Sequence, residues 1–243
     1  MEKTSPERAS RRERLRVELV RDARREARTL LAAKGVGGLS VSEVARRVGV
    51  SPPALYRYFD GKAGLVGALY DDLTEEVVTE LTAAAQRQDP DDVSAQLHAA
   101  TRAVLHWSVA NRIEFGLLMG ATYPEITEGG VDLSRNFSHA VGGVFGLMFT
   151  RLWESGQLKF RDDDDIPPEL LRQLTSYRDS IGLDLPLGVL LLMITCWRQI
   201  YGTISMVVHE HLSFAFEDGR PLFEDMMDSL LALLGLTRSP RLR

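Results

Sequence analysis

The chain has 243 residues, 44% apolar and 26% charged, which suits one or two soluble globular domains with a sizeable core. Its single cysteine, Cys196, excludes an internal disulfide framework and fits a reducing compartment, and the N-terminus lacks the apolar run of a secretory signal, so a cytoplasmic location is expected. The net charge of −5 argues against nucleic acid until its distribution is seen: residues 1–70 carry 15 Lys and Arg against 8 Asp and Glu, net +7, and the remainder 14 against 26, net −12. A basic head on an acidic body is expected where one part binds phosphate and the other must not.

Residues 1–13 are polar, carry Arg8, Arg11 and Arg12, and lack apolar periodicity. They are expected to form a flexible basic arm, either a solvated tail or a strand of chain touching a minor groove or phosphates. A stripe of Leu15, Leu19, Ala23, Ala27, Leu30 and Leu31 then predicts a first helix ending near Gly35.

Residues 40–62, SVSEVARRVGVSPPALYRYFDGK, are the most informative. Ser40 and Glu43 form a capping box for a helix whose apolar face is Val41, Val44, Ala45 and Val48, and Gly49 stops it. Val50 turns inward. Ser51 caps a second helix that begins at Pro52, where a missing N–H costs nothing. Leu55 and Phe59 bury that helix and leave Tyr56, Arg57 and Tyr58 facing outward. Two helices joined by a short glycine turn describe a helix-turn-helix, whose second helix reads the major groove.

Asp60 caps a fourth helix from about Gly61 to Gln86, long enough to link head and body. The body reads as helices near 91–110, 111–119, 133–156, 167–180, 185–210 and 221–235, broken by Pro, Gly and Asp clusters, with no strand pattern and no repeat. Asp162–Asp165 lacks the ligand spacing of a calcium loop and reads as a solvated turn. Leu185–Val208 is long and apolar, but Arg198 and Gln199 near its middle make it a buried helix rather than a membrane span.

The motif resembles the N-terminal domain of TetR-family transcriptional regulators. Ser40, Val44-Ala45, Gly49-Val50-Ser51, Leu55-Tyr56, Tyr58-Phe59, Lys62 and Leu65 follow that family's order and spacing over about residues 14–70. Trp197-Arg198-Gln199-Ile200-Tyr201-Gly202 also resembles an element of one TetR C-terminal group. The resemblance implies an all-α fold: a three-helix DNA-binding domain at 14–61, a larger effector-binding and dimerisation domain at 62–238, and a tail at 239–243.

It also implies that Tyr56, Tyr58 and Lys62 hold the DNA backbone. Lys62, in the first turn of its helix, gains from the free N–H groups there. Ser42 and Ser51 are further phosphate donors. Pro52, Pro53 and Ala54 lack base-reading hydrogen bonds but suit thymine methyls, so specificity falls to Arg46, Arg47, Arg57, Tyr58 or DNA shape.

Two heads must sit about 34–36 Å apart to read a palindromic operator, which requires a homodimer. The last two helices, with Val189, Met193, Trp197, Ile200, Ile204 and Val208 on one and Leu222 to Leu234 on the other, are the expected dimer surface.

A small, largely apolar effector is implied in the body. Candidate lining residues are Trp107, Phe115, Leu118, Met119, Tyr123, Phe145, Phe149, Trp153 and Trp197, and candidate polar groups are His106, Arg112, Glu114, Tyr123 and His139. The expected function is a transcriptional regulator, a repressor released by that effector. The alternative is a dimeric DNA-binding protein with no effector.

No catalytic motif is found, no cofactor or membrane partner is expected, and His209 with His211 is not expected to bind metal.

Overall fold

A computed structural model describes residues 6–120 and 133–239, with side chains from 13–120 and 136–239. Among the described residues there are ten α-helices and no strand. They are α1 (Pro6–Lys34), α2 (Val41–Arg47), α3 (Pro52–Tyr56), α4 (Gly61–Gln86), α5 (Val93–Ala110), α6 (Arg112–Met119), α7 (Leu133–Glu154), α8 (Pro168–Ile181), α9 (Leu187–Val208) and α10 (Arg220–Leu233). The chain divides into two compact units, Met1–Thr74 with Ile113–Ser134 and Glu75–Arg112 with Arg135–Arg243, and α4 contributes to both.

In the first unit, Ala23, Ala27, Leu30 and Leu31 of α1 are fully buried beside Val44, Leu55, Phe59, Leu65 and Leu69. The apolar stripe does not extend to the start of the helix. Leu15 and Val17 are 56% and 60% exposed, and helix already runs from Pro6 through part of the expected arm. From Ile113 onward, α6 belongs to this unit. The Tyr70 hydroxyl donates to the Leu118 carbonyl at 3.0 Å, and Arg28 donates to Glu114 at 3.3 Å.

The second unit is held by α9, which packs on α5, α8 and α10. Asp92 caps α5 by accepting from the Ala95 N–H at 2.8 Å, and Gly182 ends α8 in the left-handed conformation. Among the described residues α9 is the helix long and apolar enough to cross a membrane, and half of its most apolar window is buried within the unit. The aspartate run forms an exposed 3-10 turn at Asp163–Asp165.

The residues expected to pair two subunits are mostly occupied inside one. Val189, Met193, Ile200, Ile204, Val208, Phe223, Met227, Leu230 and Leu231 are all buried in this chain's own core. The outward side of α9 carries Arg198, Tyr201 and Met206 instead.

Candidate functional site

The turn between α2 and α3 is built by local chemistry. The Ser40 hydroxyl accepts from the Glu43 N–H at 3.1 Å, the first half of the expected capping box. The reciprocal half is replaced, because the Glu43 carboxylate is drawn to two arginines of its own helix. Arg46 donates to it twice, at 3.0 and 2.8 Å, and Arg47 once, at 3.2 Å. These bonds, Arg46 first, pull the Glu43 carboxyl down to about 2. Gly49 takes φ 76°, and the Val50 N–H closes back on the Ala45 carbonyl at 3.0 Å, which ends α2 in a Schellman motif.

Ser51 stands at the N-cap of α3 but its hydroxyl makes no capping bond. Pro52 and Pro53 have no N–H to offer it, and the next donor, Ala54, bonds the Ser51 carbonyl at 2.9 Å. The Ser51 hydroxyl is therefore not committed to the helix, and the residue is exposed.

Leu55 and Phe59 are buried and pin α3 to the unit's core. Ser42, Arg46, Ser51, Pro53, Tyr56, Arg57 and Lys62 are exposed, with Pro52, Ala54 and Tyr58 half-buried. Tyr56 is 53% exposed, so its ring does not pack beneath the motif. Arg47 is drawn inward by Glu26 of α1 at 3.7 Å as well as by Glu43, which leaves it less available than Arg46.

Sequence reasoning missed Arg16 of α1. Its guanidinium lies 5.6 Å from the centre of the Tyr58 ring, with that of Arg57 at 5.9 Å. No local spacing links α1 to α3, so only folding brings these groups together.

The second unit contains a cavity of about 180 Å³ among α7, α8 and α9. Phe137, Val141, Phe145 and Phe149 repeat every four residues along α7 and form one wall, with Gly142 and Ser138 beside them. Tyr177 of α8 and Met193, Ile194, Cys196, Trp197 and Ile200 of α9 complete it. Burial raises the Tyr177 hydroxyl above its ordinary value and pushes the Cys196 thiol up to about 12, so both stay protonated at neutral pH.

Three of the residues expected to line an effector site, Phe145, Phe149 and Trp197, stand on this cavity. The others stand elsewhere. Phe115 and Leu118 are buried in the first unit, where α6 is tied down by Tyr70 and Arg28, and Met119 lies on the same helix. The Trp107 indole N–H donates to Glu76 of α4 at 2.8 Å, in a separate groove that His106 also lines. Trp153 lines none of these spaces. Tyr123 lies outside the described residues.

Among the expected polar groups, Arg112 pairs with Glu210 at 2.6 Å, Glu114 with Arg28, and His139 is half-buried on α7 without lining the cavity. The missed lining residues Met193, Cys196 and Ile200 share one face of α9 by their spacing, the face that sequence reasoning gave to a partner subunit.

His209 and His211 follow the end of α9 rather than continuing it, so their rings stack 5.6 Å apart instead of pointing to opposite sides. Among the described residues no group of three or more His, Cys, Asp or Glu is placed to hold a metal.

Comparison with known proteins agrees with the geometry. A family model described as "Bacterial regulatory proteins, tetR family" matches residues 24–69, and one described as "Tetracyclin repressor-like, C-terminal domain" matches 97–230, more than half of the chain. The chain is 25% identical over 197 residues to the HTH-type transcriptional regulator Rv1816 of Mycobacterium tuberculosis, covering 81% of this chain and 82% of that protein.

Among solved structures, the protein SCO4313 superposes with a TM-score of 0.70 at 23% identity, covering 90% of this chain and 98% of that one. RolR, solved with its ligand resorcinol, superposes at 0.56 with 17% identity, covering 94% and 91%. At these identities the structural matches establish the fold, whereas the family models span both units. The chain belongs to the TetR family of bacterial transcriptional regulators, with a helix-turn-helix DNA-binding motif at α2 and α3.

Proposed function

We propose that the protein is a homodimeric repressor that binds a palindromic operator and leaves it when a small, largely apolar molecule enters the α7–α8–α9 cavity. In this reading Arg46, Arg57 and Tyr58, with Pro52, Pro53 and Ala54 against thymine methyls, select sequence, with a lesser part for the tethered Arg47. Ser42, Ser51, Tyr56 and Lys62 hold phosphates. The observation that carries the effector half is the aromatic cavity itself, whose lining among the described residues includes no charged side chain.

The solved complex of RolR with resorcinol, on a similar fold, supports a small-molecule effector for this chain. Dimerisation would use the exposed side of α9, Arg198, Tyr201 and Met206, with neighbouring residues of α10, since the inner side is filled. Effector binding would favour one of two states of the body, and α4, which is part of both units, is the covalent route to the head.

The test is release of operator DNA from the purified chain by a broad library of small molecules, followed by fluorescence anisotropy. A compound that dissociates the complex saturably supports the repressor reading. An operator complex that no compound disturbs would indicate a dimeric DNA-binding protein without an effector.

A further inference from the structure

The α7–α8–α9 cavity is small for a ligand site. Its volume of about 180 Å³ lies below the roughly 300–1,000 Å³ of drug-sized pockets. An apolar cavity of about 150 Å³ accommodates a single benzene ring.

The walls suit such a ring. Phe145 and Phe149 of α7 stand on one side, and Met193 and Trp197 of α9 on the other, giving ring faces, ring edges and a polarizable sulfur. No lysine, arginine, aspartate, glutamate or histidine lines the space among the described residues. A carboxylate or ammonium entering it would lose hydration without gaining a group of opposite charge. Polar recognition falls to two hydroxyls, Tyr177 of α8 and Ser138 at the exposed rim of α7. Each can donate to, or accept from, an uncharged oxygen.

Part of the room is made by a glycine. A Cβ at Gly142 would meet no atom within 4 Å, so the space beside that helix position is open.

We propose that the cavity selects a neutral, single-ring aromatic molecule bearing a hydrogen-bonding oxygen, and rejects carboxylates of the same shape. This rests on the effector reading above and narrows it to a chemical class.

The test uses the full-length chain with methyl benzoate, benzoate and phenol at pH 7.5, read by calorimetry and by release of operator DNA. The ester and the carboxylate share ring and carbonyl and differ in charge. Methyl benzoate and phenol are expected to bind saturably, with benzoate at least tenfold weaker. Gly142→Ala is expected to weaken the ester and Gly142→Leu to abolish its binding, with melting curves reporting that each variant is folded. Should Gly142→Leu not fold, Tyr177→Phe carries the test, with a several-fold loss of phenol affinity expected and unchanged affinity overturning the hydroxyl's role.

Benzoate binding as tightly as the ester, with both lost in Gly142→Leu, overturns the exclusion of charge and leaves the effector cavity standing. Release of operator by a long-chain or charged library compound, with none by the three probes, overturns the ligand class alone. Release by no compound at all overturns the effector reading itself.

Discussion

Arg16 stands over the ring of Tyr58, its guanidinium carbon 5.6 Å from the ring centre, and so joins the basic first helix to the turn that follows α3. Arg57 approaches the same ring at 5.9 Å. The phenol ring is thus fixed by cations near the surface where phosphates would lie. A cation–π contact at an exposed site is worth about 0.5–1 kcal/mol. Arg16→Ala is therefore expected to lower operator affinity about two- to fivefold with the melting temperature nearly unchanged, as measured by anisotropy and calorimetry. Equal affinities for variant and parent would remove Arg16 from the interface.

Lys62 is exposed in the first turn of α4, and Tyr56 is exposed at the end of α3. Lys62→Ala and Tyr56→Phe should weaken binding to every duplex by a similar factor. The lysine change should also reduce the slope of log affinity against log salt by about one. Variants that discriminate between sequences differently from the parent would contradict a phosphate role.

The ionised carboxylate of Glu43 holds Arg46 in a two-point contact and also engages Arg47. Its carboxyl lies at about 2, so it stays charged throughout the physiological range, and any stability it contributes is lost as pH falls from 4.5 to about 2. Glu43→Gln should raise affinity for non-specific duplex severalfold and steepen the salt dependence, since a negative charge is removed and Arg46 is released. A filter-binding titration at several salt concentrations would detect either change.

His98 is fully buried, with Nε2 at 2.8 Å from Glu224, a carboxylate that Arg102 and Arg238 also hold. Burial lowers its pKa, against the opposing pull of Glu224. The unfolded imidazole takes up a proton near pH 6.5 whereas the folded one resists it, so stability should fall as pH drops below about 6.5. Melting temperatures at pH 7.5 and 5.5 should therefore diverge more in the parent than in His98→Gln. Identical pH dependence in both would exclude His98 as a contributor.

The helix-turn-helix was legible because its determinants are local. Ser40 and Gly49 act within a few residues of where they stand and bound α2, while the four-residue spacing of Leu55 and Phe59 marks the side of the second helix that is buried. Ser51 was misread as a side-chain cap because the two prolines after it remove the donors a cap would serve.

The body's helices were readable from their breaks, but the neighbours of each face were not. Met193 and Ile200 look alike in sequence whether they meet a partner, a core or a cavity, and tertiary packing alone turns them toward Phe145 and Phe149. Phe115 and Leu118 were drawn into the first unit by the hydrogen bond from Tyr70 and the ion pair of Arg28 with Glu114, contacts with no short-range trace in the sequence.

The most direct measurement is selection of bound sequences from random duplex DNA by the purified chain, with the stoichiometry of the selected complex determined by analytical ultracentrifugation. Enrichment of a palindrome whose half-sites lie about one helical turn apart, bound by paired copies of the chain, is the predicted result. A chain that stays monomeric on DNA and enriches no sequence at moderate ionic strength would contradict the assignment of α3 as a reading helix presented twice.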